Sequence, residues 1–129
     1  EEKKLPFNQA PAGMPGVETS LPLMLNHSQT SDIDIKDIVK WMCENPATLY
    51  KIKNKGFLKE DFDADITIVD MNKEKVVDGK NMQSKCGWSA FDGKNLKGWP
   101  VITIVNGNIV FENEQINDEI KGKKVLFDE

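Results

Sequence analysis

The chain has 129 residues, 39% hydrophobic and 29% charged, with a formal net charge of -4. Folding at this length buries about two-thirds of the unfolded surface, enough for one core and not for two, and the composition excludes the disordered class. The acidic balance argues against a nucleic-acid partner, and no run approaches the roughly 18 apolar residues that a membrane span needs. The start, Glu1-Glu2-Lys3-Lys4, lacks the apolar core of a signal peptide, so a soluble, cytoplasmic protein is expected. The first residue is not Met, which suggests a processed, cloned or cleaved product.

Pro6, Pro11 and Pro15, with Gly13 and Gly16, exclude a helix or central strand from the first 16 residues and predict a loop. From Val17 to Leu25 the pattern turns apolar, with Leu21, Met24 and Leu25 on one helical face and Pro22 early enough to be tolerated; a short buried helix is expected. His27 follows it in a polar stretch and reads as exposed or capping. Ile35, Ile38, Val39 and Met42 recur at i, i+3, i+4 and i+7, and Asp32 or Asp34 can cap the helix of about three turns that they define. Asn45-Pro46 is expected to reset the chain, starting a further short helix from Pro46 to about Ile52 that Gly56 ends.

After Gly56 the period falls to two. Asp65 to Asp70 predicts a strand rich in β-branched residues, and the mixed charges from Lys73 to Lys80 suggest a solvated connection. Lys80 to Trp99 is expected to be an irregular but anchored loop. Pro100 to Val105 and Asn108 to Phe111 flank Asn106-Gly107, whose tolerance of positive φ suits a type I′ hairpin. Cys43 and Cys86 match no zinc or redox spacing and read as free thiols. Trp41, Trp88 and Trp99 read as packing residues, since no basic cluster surrounds them.

With one histidine in the chain, a hydrolytic zinc site cannot be assembled from these residues alone. No Ser nucleophile elbow, phosphate loop or Cys-His pair is present either. The remaining candidate is the turn from Ala10 to Thr19. Its glycines let the backbone approach a ligand, and the helix start behind it is expected to offer free amides that favour anions.

The run from Ala10 to Leu25, with Pro15-Gly16-Val17-Glu18-Thr19-Ser20-Leu21-Pro22-Leu23 at its centre, resembles the segment after the eighth barrel strand of dihydroorotases in the amidohydrolase superfamily. Glu44-Asn45-Pro46-Ala47, Asp63-Ala64-Asp65-Ile66-Thr67-Ile68-Val69-Asp70, Ser84 to Ser89 and Gly98 to Val101 resemble later segments of that family in the same order. The likeness runs from Glu1 to about Phe111, and Asp61 stands where a glycine is common.

The resemblance implies an α/β chain: the carboxy-terminal fragment of a (β/α)₈ TIM-barrel, metal-dependent hydrolase, with strands of its small β-sandwich domain. Residues 1–56 would carry the substrate loop and last barrel helices, and residues 57–129 the strands, a long loop and a terminal hairpin. The implied activity interconverts N-carbamoyl-L-aspartate and L-dihydroorotate in pyrimidine biosynthesis, with zinc in the intact enzyme. The family's metal ligands and catalytic aspartate lie before the matched segment, so this chain alone is expected to bind no metal, to contribute no catalytic residue and to be inactive. Only the loop contacts carry over, onto Ala12 and Gly13, whose backbone groups would hold the substrate near its carboxylate and ring amide. Ala12 stands where the family varies, which matters little for a main-chain contact. The implied partners are the missing amino-terminal barrel portion, the substrate, and a further copy of the chain or aspartate transcarbamoylase. Two alternatives are a non-catalytic relative that assembles with aspartate transcarbamoylase, and a related hydantoinase or allantoinase.

Overall fold

The computed structural model describes residues 2–128. Helices come first and strands second: α1 Ser20–Ser28, α2 Ile35–Val39, a π-helical turn Lys40–Glu44, α3 Asn45–Leu49, then β1 Ile66–Val76, β2 Asn95–Val105, β3 Asn108–Glu112 and β4 Gln115–Ile116. The strands form one sheet in sequence order with every pairing antiparallel.

The helical half is more continuous than the sequence suggests. Asp34 caps α2 in a capping box, accepting from the Lys36 amide at 2.8 Å while Asp37 accepts from the Asp34 amide at 3.1 Å. Asn45-Pro46 does not reset the chain, because α2 runs through the π turn directly into α3. Pro46 has no N–H and its ring would collide with the carbonyl four residues back. The π turn widens the helix at that point, and the Asn45 amide reaches back five residues to the Lys40 carbonyl. The last helix ends at Leu49, short of Ile52. Ile52 instead bridges Phe127, with the Lys53 amide on the Leu126 carbonyl at 2.9 Å and the Asp128 amide on the Lys51 carbonyl at 2.8 Å, so the chain's end is tied to the exit of α3.

The hairpin forms as expected: Asn106 and Gly107 have φ of 48° and 80°, and Val105 faces Asn108 while Ile104 faces Ile109. Two boundaries differ. Strand β1 continues through Lys73–Val76, which is not a loose connection. A bulge after Asp70 restarts the ladder at Glu74↔Lys97, and the Lys73 and Lys75 ammonium groups settle on Glu114 at 2.9 and 3.5 Å. Backbone pairing and these ion pairs accommodate the charges. For the same reason residues 95–99 belong to β2 and not to the loop. The remainder of that loop is anchored as expected: Asp78 caps a 3₁₀ turn, and Asp92 accepts from the Gly79 amide at 2.7 Å.

Helix α1 lies on β2. Asn26 Oδ1 accepts from the Lys97 amide and Gln29 Nε2 donates to the Lys97 carbonyl, both at 2.9 Å. Gly98, at φ 99°, lets the strand pass so close that an added Cβ would sit 2.8 Å from Leu25 Cβ. The buried apolar set is small: Leu25, Ile38, Ala47, Val77 and Leu96. The accessible surface is 9761 Å², about 40% more than the roughly 6,900 Å² of a compact monomer of 14.6 kDa. Large hydrophobic side chains are among the exposed residues, including Leu49 at 75% and Leu58 at 83% exposure. Trp41 is exposed on the π turn, against the expectation of a packing role: the face it occupies has nothing over it in this chain. Trp88 and Trp99 are half-buried, and the Trp99 indole N–H donates to the Leu96 carbonyl at 2.9 Å.

Candidate functional site

The loop that precedes α1 is held at its two ends and open in its middle. At the first end the Pro6 carbonyl accepts from the Gln9 and Ala10 amides at 2.8 and 2.9 Å, and the Lys3 ammonium donates to the Pro11 carbonyl. At the second end the Gly16 carbonyl gathers the Thr19 and Ser20 amides at 3.1 and 2.9 Å and both hydroxyls, Ser20 Oγ at 2.6 Å and Thr19 Oγ1 at 3.4 Å. Thr19 is 1% exposed, which fixes that stem against the body.

Between the stems Ala12 and Gly13 are exposed, and no hydrogen bond joins their main-chain groups to other described residues. Gly13 has φ 79°, a region costly to any residue with a Cβ, and nothing lies within 4 Å of where that Cβ would be. The two residues singled out from the sequence are therefore adjacent, solvent-facing and equipped with main-chain donors and acceptors that the fold does not consume. The expected supply of free amides at the helix start is not found in full. The Thr19 and Ser20 amides are spent on Gly16, and Pro22, buried in the first turn, has no N–H to offer.

His27 is exposed in the last turn of α1, and its carbonyl closes the helix by accepting from Ser31 Oγ at 2.9 Å and the Thr30 amide at 3.1 Å. Among the described residues no three His, Cys, Asp or Glu side chains converge where a metal ion could be held. The donor set does not fit a catalytic zinc, and no step is assigned to one in this chain. Cys43 and Cys86 are free and exposed; partial burial and the neighbouring Glu44 carboxylate push the Cys43 thiol up, away from the reactive thiolate. No helix among the described residues is long and apolar enough to cross a membrane.

The strongest electrostatic constellation is structural. Asp65 accepts from the Asn106 amide at 2.7 Å and from the Lys55 ammonium, which also meets Asp63 at 2.9 Å, while the Gly107 amide donates to Ala64 at 3.0 Å. Burial pushes the Asp65 carboxyl up, but the Asn106 amide and the Lys55 charge outweigh it and hold it below its ordinary value. The hydrogen bond that Lys55 donates to Asp65 raises the Lys55 ammonium against the opposing effect of its burial. The Asp63-Ala64-Asp65 stretch thus ties the exit of the helical half to the tip of the β2–β3 hairpin.

Residues 13–110 match the amidohydrolase family. The dihydroorotase of Pyrococcus furiosus is 39% identical over 115 residues, which is 89% of this chain and 28% of that protein. The dihydroorotase of Acetivibrio thermocellus is 45% identical over 111 residues, 85% of this chain and 26% of its own length. Among solved structures, the L-hydantoinase (dihydropyrimidinase) of Arthrobacter aurescens superposes with a TM-score of 0.80 at 37% identity, over 84% of this chain and 25% of that one. The chain spans about a quarter of the length of the curated relatives it matches.

Proposed function

This chain belongs to the amidohydrolase family, as an α/β segment of its TIM-barrel fold, and from that premise we propose that it is the substrate-loop segment of a dihydroorotase. In this reading residues 1–56 complete the barrel and residues 57–129 contribute the strands of the small β-domain. The intact, zinc-dependent enzyme interconverts N-carbamoyl-L-aspartate and L-dihydroorotate, and Ala12 and Gly13 supply main-chain contacts to the substrate's carboxylate and ring amide. Catalysis requires the rest of the enzyme, about three-quarters of its length, which provides the metal ligands. The observation that carries the reading is the free main chain of Ala12 and Gly13, exposed between two anchored stems inside a segment whose curated relatives are dihydroorotases. A surface about 40% larger than that of a compact monomer of this mass, with many large hydrophobic side chains exposed, supports the dependence on a partner segment.

Two substitutions in the intact enzyme test the contact. Ala12→Ser leaves KM for dihydroorotate nearly unchanged, since the main chain makes the contact. Gly13→Val forces a β-branched side chain into φ 79° and weakens substrate binding at equal stability. Normal KM and kcat in Gly13→Val would return the loop to a mere connection. The likeness to an L-hydantoinase at 37% identity supports a second reading, a hydantoin-opening enzyme on the same scaffold; turnover of a 5-substituted hydantoin in preference to dihydroorotate by the intact protein would select it.

A further inference from the structure

Glu18 sits on the turn between the open loop and α1, two residues beyond Gly16, and its carboxylate reaches into the long loop that precedes β2. Oε2 accepts from the Gln83 amide at 3.1 Å and Oε1 from the Ser84 amide at 3.0 Å. That distant loop is closed on itself, with the Gly87 amide on the Ser84 carbonyl at 3.2 Å and Ser84 Oγ 2.7 Å from Cys86 Sγ. A carboxylate that receives two backbone N–H groups forms charge-assisted bonds, stronger than neutral ones, and satisfies two amides at once.

We propose that Glu18 is a positioning residue that clasps the 82–87 loop to the root of the substrate loop, so that the two loops hold one arrangement before substrate arrives. The argument rests on the assignment of Ala12 and Gly13 as the substrate contact. From Ala12 to Pro15 the main chain has no hydrogen bond to other described residues, so its placement is set by its stems. One stem is the Gly16 carbonyl with Thr19 and Ser20, and Glu18 lies inside that same turn. Freed from Gln83 and Ser84, the turn loses its tie to the 82–87 loop, and the substrate loop must be ordered at the moment of binding. That cost falls on KM and leaves kcat, because Glu18 touches no reacting atom.

Amide hydrogen exchange on this chain reads the clasp without any substrate. Glu18→Gln keeps one acceptor and loses the charge. Exchange then accelerates at Gln83 and Ser84, and also at Thr19 and Ser20, whose bonds to Gly16 share the turn. Acceleration confined to Gln83 and Ser84 would reduce Glu18 to a local tie and overturn the proposal. In the intact enzyme, Glu18→Gln raises KM for dihydroorotate about 5- to 10-fold, as fits one weakened charged hydrogen bond, and leaves kcat within about twofold. An unchanged KM, or a fall confined to kcat, overturns the proposal. Glu18→Asp, one methylene too short to span both amides, gives the same direction of change and serves if Glu18→Gln does not fold. An intact protein that does not process dihydroorotate at all counts against the dihydroorotase reading, and the exchange measurement then decides the clasp by itself.

Discussion

Gly98→Ala probes a place where α1 and β2 pack closely enough that only a glycine fits between them. Two costs add. The residue sits at φ 99°, and holding an L-residue on the left-handed side costs roughly 1–2 kcal/mol. The new Cβ would also lie 2.8 Å from Leu25 Cβ, whereas carbon atoms in contact prefer about 3.5–4.0 Å, so α1 must lift from β2. Overpacking of that kind costs about 1–3 kcal/mol. The lift also stretches the bonds that Asn26 and Gln29 make to the two sides of Lys97, both 2.9 Å. The total expected is about 2–5 kcal/mol, a large share of the stability of a marginally stable chain. Gly107→Ala is the control, since Gly107 has φ 80° but open space around its Cβ position; it incurs only the conformational cost, about 1–2 kcal/mol. Urea unfolding of the three proteins and amide exchange at Lys97 make the comparison. If Gly98→Ala were no less stable than Gly107→Ala and kept Lys97 protected, the close contact of α1 with β2 would be wrong.

Gly56→Ala should destabilise by a similar route, because at φ 88° its Cβ would meet Ala47 Cβ at 2.4 Å and the Cys43 carbonyl at 2.8 Å; thermal unfolding indistinguishable from the parent chain would refute that packing. Asn26→Ala leaves the Lys97 amide without its acceptor and should cost about 1–2 kcal/mol, read by urea midpoint. Asp65→Asn removes the charge that Lys55 and the Asn106 amide face, with side chains only 31% and 21% exposed for Asp65 and Lys55, at about 1–2 kcal/mol. The Asp65 carboxyl is lowered in the folded state. Its contribution is therefore present above the ordinary carboxylate range and fades as pH falls through the lowered value. The stability gap between parent and Asp65→Asn should be constant near neutral pH and close in acid, and a gap that persisted unchanged into strong acid would remove the ion pair from the account.

Local chemistry was legible where one residue type dictates one backbone state. Asn106-Gly107 demanded positive φ at both positions and received 48° and 80°, and Asp34 could be read as a cap because its carboxylate is placed before the first amides of α2. What the sequence concealed depends on partners distant along the chain. Lys73 to Val76 looks like a solvated linker until β2 supplies the ladder and Glu114 the counter-charge. Nothing local in Asn26, Gln29 or Glu18 marks them as the residues that hold β2 and the 82–87 loop. Asn45-Pro46 misled for a different reason: proline excludes the ordinary helical bond, but one extra residue in the turn lets the helix pass around it. The Ala12 and Gly13 loop was conspicuous for its glycines and prolines. The structure adds that its stems are anchored while its centre is unbonded.

The surface gives this loop its context. A chain with 9761 Å² exposed and few buried apolar side chains among the described residues places its polar contacts better than its hydrophobic ones, with ion pairs, caps and carboxylate clasps holding segments whose apolar sides are bare. Such bonds supply geometry at modest net stability, whereas burial supplies most of the driving force for folding. Covering Trp41, Leu49, Tyr50 and Leu58 with the rest of a barrel would provide the missing burial without altering the clasps. On that argument a partner segment would stabilise the loop indirectly, by fixing the helical half and with it α1, whose leading turn holds Gly16, Glu18 and Thr19. The test is addition of the separately produced barrel portion of the same enzyme: it should slow amide exchange throughout α2 and α3 and raise the urea midpoint, while Trp41 fluorescence shifts to the blue as its indole leaves water. Unchanged exchange in α2 and α3 at saturating partner would show that this apolar face is not where the barrel closes.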